Sequence, residues 1–421
     1  MERFVVRPSG PLAGEVEVQG AKNSALKLMA ACLLAEGTTV LGNVPAITDV
    51  TLMAEMLEAL GAEVRREGSS LEVASPGECV PVAPYHLVQQ MRASIVVLGP
   101  LLARQGRARL SLPGGDDFGT RPIDFHLRAF TELGAAFTTD HGYLEGRCDR
   151  LAGSRIVLEY PSHTTTDNVL MASVLAKGTT VIENAAREPE VEDLAALLTA
   201  MGARIEGAGT SRIEVEGVDA LHPARHETLA DRVVAATYLA AVGLGGGEVH
   251  VRGARPEHMD MLLVKLAATG MELEATATGV LARAEGRPAA VDVVTLPYPG
   301  VATDYKPLLV TLLSVASGVS IVSENLFAGR FRYVDELVRM GADIRTEGHH
   351  AVVRGVERLS GAEVRAPDIR AGAALVLAGL AATGETVVTG AEHVDRGYED
   401  LAGNLAGIGA DVTRRSDAPG G

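Results

Sequence analysis

Six stretches of the chain are apolar nearly all round: residues 24–36, 85–104, 166–177, 230–244, 306–317 and 371–383. A helix without a polar face belongs inside a protein. A glycine ends each stretch, as a C-cap glycine does. Short β-branched runs follow, at 38–41, 108–112, 179–182, 248–251, 319–322 and 385–388. A second, amphipathic helical pattern comes next. Leu52, Met56 and Leu57 show it, as do Leu194, Leu197 and Leu198, and Val334, Leu337 and Val338. It closes on Gly61, Gly134, Gly202, Gly270, Gly341 or Gly409, before short alternating strands such as 62–64, 204–206 and 213–215.

The period is roughly 70 residues, longer than a solenoid turn and shorter than a domain. Each copy reads as a small α/β unit that cannot bury its own apolar face. Six copies predict two domains of three repeats, with buried helices inside and sheets and exposed helices outside. The polar stretch 218–229, with a turn at His222-Pro223, marks the domain junction.

Composition narrows the function. The chain has 421 residues, 47% hydrophobic and 22% charged, with a net charge of −16. That excess of acid argues against a nucleic-acid surface and requires any anionic ligand to be held by a few local cations. Three widely spaced cysteines, Cys32, Cys79 and Cys148, form no CxxC pair and predict reduced thiols without a zinc site. The start has no apolar leader, and no apolar run reaches membrane-spanning length. The expectation is a soluble, cytoplasmic protein that uses no membrane, metal or cofactor. The polar tail 414–421 is expected to be disordered.

The beginnings of the apolar helices carry unusual residues: Lys22 and Asn23; Arg92; Thr164 to Asp167; Asp231 and Arg232; Asp304; Asp368 and Arg370. Helix capping accounts for the Ser, Thr, Asp and Asn, and equally for Asp49. It fails for Lys22, Arg92 and Arg370, because a cation in a first helical turn opposes the helix dipole. Cation and dipole are reconciled if an anion binds there, on free backbone N–H groups. Parallel helices would gather their N-termini on one surface of each domain, and two such surfaces would form a cleft.

At this point the residues resemble a known family. The strings Gly20-Ala21-Lys22-Asn23, Gln90-Met91-Arg92-Ala93-Ser94, Leu112-Pro113-Gly114-Gly115, Arg121-Pro122-Ile123-Asp124, Asn184-Ala185-Ala186-Arg187-Glu188-Pro189-Glu190, Ala302-Thr303-Asp304 and Asp395-Arg396-Gly397-Tyr398 are similar, in collinear order, to the UDP-N-acetylglucosamine 1-carboxyvinyltransferase family. The shikimate-pathway enolpyruvyl transferases share that fold but have Ser where this chain has Asn23. The resemblance implies two inside-out α/β barrel domains, each of three repeats, of the EPSP synthase-like kind. One domain would be residues 1–21 plus 230–421, with the N-terminal strand joining the C-terminal half. The other would be 22–229, carrying a lid at 112–121.

The implied reaction moves enolpyruvyl from phosphoenolpyruvate to the 3-hydroxyl of UDP-N-acetylglucosamine and releases phosphate, the first committed step of peptidoglycan synthesis. C3 of phosphoenolpyruvate must be protonated, the sugar hydroxyl must lose its proton and attack C2, and phosphate must leave as C3 gives up a proton. That chemistry needs anion clamps, a general acid and a general base. By resemblance, Lys22, Asn23, Arg121, Arg370 and Arg396 hold phosphoenolpyruvate; guanidinium groups suit both its phosphate and its carboxylate. Asp304 contacts the sugar hydroxyl as the base. Asp49 matches a further carboxylate of the cleft. The UDP-sugar would lie against Arg92, Arg121, Pro122, Ile123, Asp124, Phe125, Ser162, His163, Thr164, Asp304 and Leu326.

The lid has glycines at 114, 115 and 119 around Asp116 and Asp117, a composition that permits rearrangement. Most of the family has Cys where Asp116 stands; that Cys is the general acid and the target of fosfomycin. A carboxylic acid can protonate C3, especially with a raised pKa, but is a poor nucleophile toward an epoxide. Fosfomycin insensitivity is therefore expected. Two departures concern the acceptor. The family's Ser-Val-Gly-Ala-Thr is Ser162-His163-Thr164-Thr165-Thr166 here, and Ala328-Gly329 precedes Arg330 where an acid is common. They leave two alternatives: another uridine nucleotide such as UMP as acceptor, in nucleoside-antibiotic synthesis, or a catalytically dead nucleotide-binding paralogue. Retention of Lys22, Asp304 and Arg396 speaks against the second. A P-loop is absent, and Gly243 and Gly245 to Gly247 follow a helix pattern rather than a strand, so no dinucleotide fingerprint exists.

Overall fold

The computed structural model describes residues 2–115, 123–327 and 329–416. Its chain forms two compact units: residues 2–19 with 230–416, here the C-terminal unit, and residues 20–115 with 123–229, the N-terminal unit.

Three helices form the centre of the C-terminal unit: Arg232–Gly245, Lys306–Ser314 and Ile369–Leu380. They pack pairwise against one another, and every residue of the latter two is buried. The six apolar stretches thus lead to buried helices, as their missing polar face requires. In the N-terminal unit Leu98–Gln105 packs on His163–Ser173, while Lys22–Ala31 packs on the segment Arg92–Val97 and on the helices Thr48–Ala59 and Pro189–Ala200. One expected helix is broken. Residues 85–104 form Tyr85–Gln90, an extended Met91, a 3₁₀ segment Arg92–Val97, and Leu98–Gln105. The break falls at Met91, and Pro100 stands in the first turn of Leu98–Gln105, where a missing amide is tolerated.

Each inner helix leads into a strand with the same pairing logic: one parallel neighbour, then antiparallel partners. Gly37–Gly42 pairs parallel with Arg225–Glu227 and antiparallel with Ser70–Ser75. Gly247–Arg252 pairs parallel with Leu12–Glu17 and antiparallel with Gly279–Ala284. Thr179–Glu183 and Val319–Ser323 repeat the pattern. Around Arg107–Ser111 the parallel strand shrinks to a single bridge, Val82 to Arg109. In the last repeat Thr386–Thr389 takes Glu2–Arg7 as its antiparallel partner, so the start of the chain completes the sheet of its end.

The six repeat glycines share one backbone state. Gly61, Gly134, Gly202, Gly270, Gly341 and Gly409 all have φ between +90° and +105°. Each follows an outer helix, and the amides of Ala62, Ala135, Ala203, Ala342 and Ala410 reach back to Leu57, Phe130, Leu198, Leu337 and Leu405. This helix stop needs a left-handed residue, which costs an L side chain energy and glycine none. The outer helices bury Met56, Leu57, Leu194, Leu197, Leu198 and Leu337, while Leu52 is half-buried and Val338 is exposed.

The tail departs from expectation. Residues 414–416 belong to the strand Asp411–Ser416, paired with Glu2–Arg7, and Arg414 grips Asp395. Among the described residues no helix is long and apolar enough to cross a membrane.

Candidate active site

In the N-terminal unit one inner helix starts with a cation and has no side-chain cap. Lys22 is the first residue of its helix, and Ala21 at the cap position offers no side-chain acceptor. Its ammonium is nearly buried and lies 2.7 Å from a carboxylate oxygen of Asp49. The capping reading of Asp49 is overturned: Ile47 is the cap, and Asp49 lies one residue inside the helix Thr48–Ala59, where it serves Lys22. Asn23 is half-buried beside it.

Arg92 opens the 3₁₀ segment rather than lying within a long helix, and it donates to the Pro113 carbonyl at 3.4 Å. Gln89 donates to the Leu112 carbonyl at 2.6 Å, and the Gly114 amide to the Val88 carbonyl. A Cβ on Gly114 would stand 1.7 Å from the Gln89 carbonyl oxygen, and Gly115 has φ +101°. These two glycines are required by close approach and backbone conformation at the root of the expected lid. Asp116, Arg121 and Pro122 lie outside the described residues, as does Ala328. Ile123 is buried, Asp124 is exposed and pairs with Arg128, and Phe125 lies beneath the Arg128 guanidinium.

Ser162 caps the helix His163–Ser173, accepting from the Thr165 amide at a long 3.4 Å. Thr164 sits half-buried in the first turn and is not among the residues with positive φ, so its side chain is tolerated there. The His163 ring turns toward protein rather than standing as a solvated loop histidine. Its Nε2 is 3.3 Å from Asp167 and 3.4 Å from Lys27. Asp167 is fully buried, and burial pushes its carboxyl up to about 7 against the pull of Lys27. His126, one helix away, is also buried; desolvation and the charge of Arg92 push it down to about 3, so its ring is neutral. It meets the Asn168 amide at 3.2 Å.

In the C-terminal unit the predicted carboxylate acquires fixed partners. Asp304 is not a cap: Tyr305 holds that position, without a side-chain bond. One carboxylate oxygen lies 2.7 Å from Arg330 and the other 3.4 Å from Arg370. Asp231 and Asp368 are true caps, each accepting two backbone amides. Arg370 is buried, which opposes its charge, yet Tyr398, Asp231 and Asp304 overcompensate and raise its pKa. Its Nη1 is a buried donor without a hydrogen-bond acceptor. Arg396 is half-buried in the turn after the helix Ala391–Val394. Leu326 is half-buried, with its amide bonded to Glu324 at 2.8 Å.

Sequence reasoning missed the role of Arg330 and the partners of Arg232. Arg330 was seen only as the neighbour of a departure, yet it is the nearest partner of Asp304. Arg232 donates to the Tyr305 hydroxyl and faces the Tyr298 ring. The signal available for both was an arginine in an apolar setting; its partner could not be read from spacing. Among the described residues no group of three or more His, Cys, Asp or Glu could hold a metal ion.

Comparison with known proteins agrees over nearly the whole chain. The family model described as EPSP synthase (3-phosphoshikimate 1-carboxyvinyltransferase) matches residues 6–405. A UDP-N-acetylglucosamine 1-carboxyvinyltransferase of Mycobacterium bovis is 49% identical over 98% of this chain and 99% of its own length. One from Myxococcus xanthus is 48% identical over the same shares. In fold, the chain is similar to the enolpyruvyl transferase NikO from Streptomyces tendae (TM-score 0.88, 24% identity, 99% of both chains). It is also similar to an EPSP synthase from Acinetobacter baumannii (TM-score 0.78, 17% identity, 99% and 100% of the two chains). With repeat, fold and near-half identity in agreement, the chain belongs to the UDP-N-acetylglucosamine 1-carboxyvinyltransferases, within the EPSP synthase family.

Proposed function

We propose that this chain transfers enolpyruvyl from phosphoenolpyruvate to the 3-hydroxyl of UDP-N-acetylglucosamine, releasing phosphate, at the entry to peptidoglycan synthesis. The observation that carries the reading is the Asp304 carboxylate, held by Arg330 and Arg370 at the head of a buried helix. It occurs in a chain 49% identical to a relative named for that activity. A carboxylate fixed on both oxygens is aimed before substrate arrives, as a general base should be. In this reading Asp304 takes the sugar hydroxyl proton while Asp116 protonates C3. Lys22, Asn23, Arg121, Arg370 and Arg396 hold phosphoenolpyruvate; the unsatisfied Nη1 of Arg370 is a donor suited to its phosphate or carboxylate. Arg92, Arg121 to Phe125, Ser162 to Thr164 and Leu326 form the UDP-sugar site. The reaction needs no metal, nucleic acid or membrane, and a cytoplasmic location accords with its substrates.

Phosphate release from phosphoenolpyruvate with UDP-N-acetylglucosamine, measured beside the same reaction with UMP, tests the acceptor. Release only with UMP would overturn the reading. Relatives of near-half identity over nearly the whole chain are named for UDP-N-acetylglucosamine, which favours it over UMP. Asp116→Cys tests the acid: the parent should resist fosfomycin and the active variant should be inactivated by it. An active variant that stays resistant would remove Asp116 from this role.

A further inference from the structure

The C-terminal unit contains a buried ion pair that the reaction does not use. Lys306 and Glu324 both have fully buried side chains, with Nζ 2.9 Å from Oε2. Burying such a pair is costly unless its remaining hydrogen-bonding capacity is filled. Here it is filled on both sides. The Lys306 ammonium also donates to the Arg330 carbonyl and lies 3.8 Å from the centre of the Phe331 ring. Glu324 accepts from the hydroxyls of Thr295 (2.8 Å) and Thr303 (2.7 Å) and from the amides of Leu326 and Phe327.

Those contacts converge on one side chain. Lys306 fixes the main chain at Arg330, whose guanidinium grips Asp304. Glu324 fixes Thr303, the residue before Asp304, and the Thr303 hydroxyl also accepts from Arg330 at 3.1 Å. The pair therefore ties residues 324–327 and Arg330 to the start of the helix Lys306–Ser314, where Asp304 meets Arg330. We infer that Lys306 and Glu324 are positioning residues for Asp304, fixing its carboxylate through Arg330 and Thr303. The inference rests on Asp304 being the base.

Burial pushes the Lys306 ammonium down to about 8, while Glu324 favours its charged form. At pH 7 the pair is charged, and the test belongs there. Lys306→Met keeps the length of the side chain and removes its donors. Lys306→Met/Glu324→Gln removes both charges and avoids stranding a carboxylate if the single variant fails to fold. Displacing a catalytic group by about 1 Å costs about 10²-fold, so kcat should fall by about that factor with KM for both substrates nearly unchanged. Lys306→Gln, which retains amide donors, should recover most of the loss. A crystal structure of the double variant should show Arg330 drawn away from Asp304. A merely structural pair would lower the melting temperature and leave kcat of the folded protein intact. That result, or an undisplaced Arg330–Asp304 contact, overturns the inference. If the parent releases no phosphate, the functional reading falls instead, and the variant's structure still decides whether the pair positions Asp304.

Discussion

Asp231 and Asp368 each accept two amide hydrogen bonds at the head of a buried helix in the C-terminal unit. In the N-terminal unit the corresponding positions hold Ala21, which has no acceptor, and Ser162, whose bond is 3.4 Å long. The buried charges differ in the same sense. Asp304 and Glu324 are each held by more than one fixed donor. Asp167, as deeply buried as Glu324, lies 3.3–3.4 Å from His163 and Lys27, and among the described residues neither oxygen makes a hydrogen bond. The C-terminal unit uses Asp231 and Asp368 to finish helices and surrounds Asp304 and Glu324 with fixed donors. In the N-terminal unit the helix head at Lys22 has no side-chain cap, and free backbone amides there can donate to an anion.

The largest expected effect tests that contrast at its centre. Asp304→Asn should lower kcat by about 10³-fold, in the range of a lost general base, and also lower the melting temperature, because buried Arg330 and Arg370 lose a charged partner. Lys22→Met should instead raise KM for phosphoenolpyruvate by more than about tenfold, the loss of one charge-assisted contact. If both variants lose only kcat, the assignment of Lys22 to substrate binding is wrong.

The Asp167 carboxyl offers a thermodynamic test. Its pKa rises from 3.8 in the unfolded chain to about 7 in the fold. Between those values the folded state binds the proton more tightly, so this contribution to stability is whole below pH 4 and is lost as pH rises through 7. Urea unfolding at pH 4.5 and pH 8 should therefore show Asp167→Asn gaining on the parent by roughly 2–4 kcal/mol over that interval. A constant difference would mean that Lys27 keeps Asp167 charged throughout, and the N-terminal unit would then be as well satisfied as its counterpart.

The smallest effect compares caps. Asp231→Ala should cost about 1–2 kcal/mol, whereas Ser162→Ala should cost less than about 0.5 kcal/mol, because its bond is long. Equal losses in thermal or urea unfolding would erase the distinction.

Much of this protein was legible in its residues, and the reason is local. The stop after each outer helix requires a left-handed residue, so Gly61, Gly134, Gly202, Gly270, Gly341 and Gly409 had to recur. Apolarity on all faces had to place helices such as Ile369–Leu380 in the core. Local information failed where the apolar run 85–104 broke at Met91, and where Arg414 met Asp395 within the strand Asp411–Ser416.

The site divides along the same line. Motif resemblance drew attention to Lys22, Asp304 and Arg370, but both capping readings of Asp49 and Asp304 failed, since each carboxylate serves a cation instead of its own helix. Asp304 meets Arg330 from 26 residues away and Arg370 from 66. No periodicity encodes such a distance. The sequence by itself determined which segments are helices, where they stop and which of them are buried, because those depend on neighbouring residues and on water. Only the tertiary structure decided which buried charge meets which, because an ion pair out of water is set by packing across elements, to within an ångström.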